Sequence, residues 1–186
     1  MKIPSMPVAA WALALLLFSS WAQAAPIDFE QFTDSYAVST EVPDVAFSGG
    51  TVLTAGVGLN DIDFPPVSGQ NVLAALSGVL TITTDAPVDQ LSAYFTYAST
   101  LNFSGYDSAL NLLFSVDTPS ISNLGSHYLF TTTQADLSSL VISAQGGTAF
   151  TLDDLQIGVA ALPEPGVLAL MLLGGLGAAI SRRRQS

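Results

Sequence analysis

Between Ala25 and Ala161 the chain has no lysine and no arginine; its 4 basic residues are Lys2, Arg182, Arg183 and Arg184. Of the 15 acidic residues, all but Glu164 fall inside that span, and the formal net charge is −11. Internal salt bridges are therefore essentially unavailable. Each carboxylate has to be solvated, hydrogen-bonded, or matched by a soluble cation. Nucleic acid is excluded as a partner, because phosphate binding rests on neutralisation by Lys and Arg. An anionic lipid or polysaccharide could be met only through neutral donors or bridging Ca²⁺.

Cysteine is absent altogether, so disulfides cannot hold the body together and a conventional apolar core must do so. A cysteine nucleophile, a Gly-rich phosphate loop ahead of a helix and the H-E-x-x-H metal motif are missing too. The single histidine, His127, follows Gly125-Ser126 and reads as a turn residue rather than part of a triad or a zinc site. A glycosidase needs only two carboxylates at a set separation, which keeps a polysaccharide hydrolase open as a third reading. The basic groups that would help frame such a cleft are missing, and the expectation is a protein that is not an enzyme.

Long apolar runs occur only at the two ends. Lys2, the run Val8 to Phe18 and the small-x-small site Ala22-Gln23-Ala24 describe a signal peptide over 1–24 with Ala25 as the mature start. Near the other end, Gly166 to Ile180 is apolar and stops at Arg182-Arg183-Arg184. As a helix it would span about 22 Å at ~1.5 Å per residue, short of a ~30 Å hydrocarbon core. The arginine stems can snorkel and extend the span. They also set the orientation, with the arginines in the cytoplasm and the acidic body outside. Pro163-Glu164-Pro165 precedes the run, each proline holding the residue before it extended, so that a protease would meet an open strand carrying one carboxylate.

The order Pro163-Glu164-Pro165, apolar segment, arginine stop resembles the PEP-CTERM sorting domain of diderm bacteria that make exopolysaccharide. Gly166 departs from the Ser, Thr or Ala common after the motif. The resemblance implies export across the inner membrane, a transient membrane anchor, and recognition and removal of the tail by an exosortase, leaving the body at the cell surface or in the extracellular matrix. Pro163, Glu164 and Pro165 would then be recognition residues on a substrate. The division that follows is 1–24 signal peptide, 25–158 cargo domain, 159–162 linker and 163–186 sorting tail with a transmembrane helix over 166–180.

The cargo is rich in Ser, Thr, Gly, Val and Leu, and apolar residues alternate with polar ones in many short stretches. Strands are expected at Ile27–Phe32, Val52–Gly56, Val72–Leu76, Val79–Thr83, Val88–Ala98, Leu110–Val116, Tyr128–Thr132, Leu137–Ser143 and Phe150–Val159. Breakers stand at Asp85-Ala86-Pro87 and Ser104-Gly105, among others. The expected fold is all-β, an antiparallel β-sandwich of jelly-roll type, with helices only in the signal and the membrane segment.

The first strand, Ile27-Asp28-Phe29-Glu30, and the last, with Asp153-Asp154, look similar to sugar-binding-type jelly rolls, in which acidic residues of such strands hold a structural Ca²⁺. That resemblance makes Glu30 and Asp153 the candidate metal carboxylates, against the alternative that they line the polar faces of strands; carbonyls and waters would have to complete a shell of six to eight oxygens. Asp61 and Asp63 read as a solvated loop. Tyr94, Tyr106 and Tyr128 with Phe103 are candidates for a platform on which sugar rings stack, Tyr94 being the best placed; ordinary strand packing is the alternative. The leading expectation is an exported, non-catalytic surface or matrix protein. The alternative is a carbohydrate-binding module that recognises exopolysaccharide, Ca²⁺-dependent in one version.

Overall fold

The computed structural model describes residues 25–158; the signal segment, the linker and the sorting tail, including Pro163, Glu164, Pro165 and the three arginines, lie outside the described residues. Eleven strands follow one another: β1 (Ala37–Val38), β2 (Val45–Ser48), β3 (Gly50–Thr54), β4 (Asn71–Ala75), β5 (Val79–Val88), β6 (Gln90–Tyr97), β7 (Leu101–Tyr106), β8 (Leu112–Asp117), β9 (Tyr128–Thr132), β10 (Leu137–Ala144) and β11 (Phe150–Gly158). They form two sheets, a six-stranded one in the order β1-β3-β4-β11-β6-β9 and a five-stranded one in the order β2-β5-β10-β7-β8. Every strand pair is antiparallel. Residues 25–158 are the all-β antiparallel sandwich that their alternation implies. Among the described residues no helix is long and apolar enough to cross a membrane.

Alternation builds the core directly. In β6, Leu91, Ala93, Phe95 and Tyr97 are buried. In β7, Leu101 and Phe103 point the same way, and in β10 Leu140, Ile142 and Ala144 do so. Phe103 stacks on Phe130 with ring centroids 4.1 Å apart, and Phe95 meets Phe103 edge-on at 5.0 Å. Offset and edge-on aromatic pairs of this kind each add ~0.5–1.5 kcal/mol beyond their buried area.

Three expectations are corrected. Ile27–Phe32 is not a strand: Ile27 makes one isolated bridge to Leu155, and the chain then turns, with Phe29 at φ 62°. A positive φ is costly for a bulky residue; here it lets the Phe29 ring enter the core, fully buried, while Glu30 faces outward. Asn71 holds this turn, donating from Nδ2 to the carbonyls of Phe29 (3.2 Å) and Phe32 (2.9 Å). Ser104-Gly105 is no breaker but the middle of β7, because Gly105 leaves space for the Phe114 ring; a Cβ there would sit 2.2 Å from it. Asp85-Ala86-Pro87 likewise lies within β5. Its register with β10 jumps between Leu137 and Ser139, which takes Pro87 out of the ladder that needs an N–H. The short strands β1 and β2 have no counterpart among the expected ones, and neither does β7.

Candidate functional site

The two sheets differ in what lies on their outer faces. On the six-stranded sheet the outward residues Ala74, Thr96, Thr151 and Asp153 are all 5% exposed or less; Thr96 Oγ1 donates to the Ser126 carbonyl ahead of β9, and Asp153 bonds to the connection between β3 and β4. That connection is pinned by carboxylates. Asp153 Oδ2 accepts from Val67 N (2.7 Å) and Ser68 N (3.0 Å), and Asp153 Oδ1 accepts from Asp154 N (2.8 Å). Asp154 Oδ1 accepts from Ser68 Oγ (2.7 Å). At the end of the same stretch Glu30 Oε1 accepts from Gln70 N (2.8 Å) and Asn71 N (2.6 Å).

Glu30 and Asp153 both reach one loop, and they meet N–H donors there. Both oxygens of Asp153 are taken by backbone N–H groups. Among the described residues no three His, Asp or Glu side chains gather into a group able to hold a metal. This donor set fits peptide N–H groups rather than the oxygen shell of Ca²⁺. Burial pushes the Asp153 carboxyl up to about 6, opposed by the N–H bonds from Ser68, Val67 and Asp154. The three N–H donors favour the carboxylate, and burial, the larger effect, favours the protonated form.

Tyr94 does point out of the six-stranded sheet, opposite Asp153 and Leu129. It is only partly exposed, its ring edge-on to His127 at 6.3 Å, and His127 Nε2 donates to the Pro65 carbonyl at 3.0 Å. The four aromatic residues expected to share a platform do not share one. Phe103 is buried, Tyr128 packs inward against Tyr97 and Phe103, and Tyr94 and Tyr106 lie on outer faces of different sheets.

The outer face of the five-stranded sheet carries no buried residue at all. Cross-strand register places Asn102, Ser104 and Tyr106 of β7 beside Ser143, Val141 and Ser139 of β10, and these beside Val79, Thr81 and Thr83 of β5. On the other flank Asp117 and Ser115 of β8 stand opposite Asn102 and Ser104. Every one of these is half-buried or exposed.

The polar groups here are already oriented. Asn102 Nδ2 donates to Asp117 Oδ1 (2.8 Å) and Ser115 Oγ (3.1 Å), while Ser104 Oγ donates to Asn102 Oδ1 (2.8 Å). A pre-ordered amide and hydroxyl network loses little side-chain entropy on meeting a ligand. It offers neutral donors and acceptors plus one carboxylate, with Tyr106 as the adjacent aromatic surface. The signal for this face was present as the alternation Asn102, Ser104, Tyr106, but it was hidden where Ser104-Gly105 reads as a turn.

The sequence matches no family model and no curated protein. Solved structures with a partial likeness include an arabinose-bound GH51 α-L-arabinofuranosidase, 14% identical with a TM-score of 0.47 over 73% of this chain. The chain spans about a quarter, 26%, of that protein. TmCBM61 in complex with β-1,4-galactotriose is 10% identical with a TM-score of 0.42, covering 72% of this chain and 99% of that one. A variant of CBM29-2, a family 29 carbohydrate binding module, is 12% identical with a TM-score of 0.40, covering 72% and 97%. At such identities and scores nothing about ligands carries across.

Proposed function

We propose that the cargo is a non-catalytic module that binds a neutral polysaccharide across the outer face of the five-stranded sheet. Its sorting tail, read as PEP-CTERM-like, delivers it through an exosortase to the cell surface or extracellular matrix. The observation that carries the binding reading is the contrast between the two outer faces. One is partly covered, with Thr96, Thr151 and Asp153 buried beneath loops. The other is an open field of hydroxyls and amides organised by Asn102, with Tyr106 for contact with the apolar side of a sugar ring. The lack of Lys and Arg across residues 25–161 favours neutral sugars over uronic acids. The two sheet orders are compatible with a jelly roll, and no catalytic constellation is needed for a face of this kind.

Affinity electrophoresis of residues 25–158 in neutral polysaccharide gels, the producer's own exopolysaccharide among them, tests the face. Retardation should fall about five- to tenfold with Tyr106→Ala or Asn102→Ala, roughly one hydrogen bond or ring contact each. Tyr94→Ala should leave it unchanged. Loss through Tyr94 and not through Tyr106 would move the site to the other sheet. For the delivery reading, full-length protein should stay membrane-held in cells lacking an exosortase and be released in cells that have one; equal release would remove that claim.

A further inference from the structure

At the end of the sandwich where β11 finishes, an apolar groove of about 430 Å³ opens between the sheets. Ile27, Val42, Val88, Leu155 and Ile157 make its walls, and Ala25 lines it as well. Asp44 and Asp85 are the titratable residues of the lining. Val45 pairs with Thr84 in the antiparallel ladder, so Asp44 and Asp85 are the next opposed pair, and Asp85 N donates to the Asp44 carbonyl at 3.1 Å. Residues 25–161 hold no Lys or Arg to pair with either carboxylate.

The chain start comes to this place. Ile27 is locked to Leu155 by two backbone bonds, Ile27 N to Leu155 O at 2.8 Å and Leu155 N to Ile27 O at 3.0 Å. Pro26 keeps Ala25 extended, which directs the first residue of the mature chain along the groove. We propose that this groove is the seat of the processed N-terminus. The α-ammonium made by cleavage after Ala24 lodges at Asp44 and Asp85 and is the counter-charge of that opposed pair. The occupant is thus the chain's own start, chosen by charge complementarity and by where the start lies. The unprocessed chain has an uncharged peptide link at this point and cannot make the contact.

The proposal rests on cleavage after Ala24, which the mass of the N-terminal peptide from exported protein establishes separately. Because residues 25–158 contain no lysine, the α-amine is their only primary amine, and an amine-acylating reagent reads this site alone. Among the described residues the core runs from Ile27 to Ile157, and a melt of residues 25–158 checks that this body folds before it is labelled. A free α-amine has a pKa near ~7.8; raising it by one unit or more lowers the reactive neutral form about tenfold at pH 7. Acylation of the folded body should be about tenfold slower than of the peptide Ala-Pro-Ile, and Asp44→Asn with Asp85→Asn should restore the peptide rate. Asn tolerates the left-handed backbone at Asp44 (φ 65°), and a melt of the double variant checks that it folds. A native rate within about threefold of the peptide's, on that same scale, overturns the proposal. So does slow labelling that survives in the folded double variant.

Discussion

Glu30 and Asp153, from opposite ends of the fold, grip the same short stretch: Glu30 holds the N–H groups of Gln70 and Asn71, and Asp153 those of Val67 and Ser68. Between these grips sits Gly69 at φ 55°, where a Cβ would meet the Glu30 carboxylate at 2.3 Å. Gly69→Ala should therefore destabilise by ~1–3 kcal/mol through backbone conformation and the lost grip. Glu30→Ala should cost a similar ~1–3 kcal/mol by leaving two N–H groups unpaired. Denaturant melts of both singles and the double should show strong non-additivity. Additive losses would mean that the two positions do not share this contact.

Acid should first strengthen the fold and then weaken it. The Asp153 carboxyl, at 3.8 when free, is pushed by burial up to about 6 in the fold. A raised folded value means the protonated form favours folding, so this contribution is fully present below about 3.8 and is lost as pH rises through about 6. After allowance for solvent screening at the loop it amounts to ~1–2 kcal/mol. Asp34, Glu41 and Asp107 behave oppositely: the Thr54 N–H on Asp34, the Ser39 N–H on Glu41 and the Asn111 side chain on Asp107 each lower the carboxyl. Their contribution is present above their free values and is lost as pH falls through the lowered ones. Melting temperature should thus rise from pH 7 to about 5 and drop at lower pH. Asp153→Asn should flatten the first limb only; an unchanged slope would show that another group titrates there.

Calcium should not alter the melt. A ligand bound only to the folded state stabilises by RT ln(1+[L]/Kd), and both Asp153 oxygens and Glu30 Oε1 already accept N–H groups. Matching melting temperatures in millimolar Ca²⁺ and in chelator are expected. A rise in Ca²⁺ that Glu30→Gln abolishes would show that the loop rearranges to admit the ion.

Among the described residues, the hydroxyl of Ser138 is buried without a hydrogen-bond partner. It sits at the register jump of β10 against β5. Leaving a buried hydroxyl unpaired costs about 1–3 kcal/mol, so Ser138→Ala should be neutral or stabilise by up to ~1 kcal/mol in a urea melt. A clear loss of stability would reveal a partner, such as a bound water.

Alternation alone made the sandwich legible wherever a strand has one buried face: β6, β9, β10 and β11 emerge from their apolar residues at every second position. Reading failed where a neighbour changes the meaning of a residue. Gly105 signals a turn in isolation and is a strand residue only because the Phe114 ring occupies its side-chain space. Pro87 signals a stop and is tolerated because β5 leaves its ladder there. Phe29 looks like a strand residue and becomes the pivot of a turn because Asn71 holds the carbonyls on either side of it.

Composition by itself determined that no disulfide braces this protein and that residues 25–161 hold no Lys or Arg to pair with their carboxylates, before any fold was known. Only the tertiary structure decided which carboxylates act together and which sheet stays open. The reason is that a hydrogen bond between Asp153 and Val67, or between Thr96 and Ser126, depends on distances that chain separation does not encode. Residues far apart in sequence acquire their chemistry from the groups that folding sets beside them.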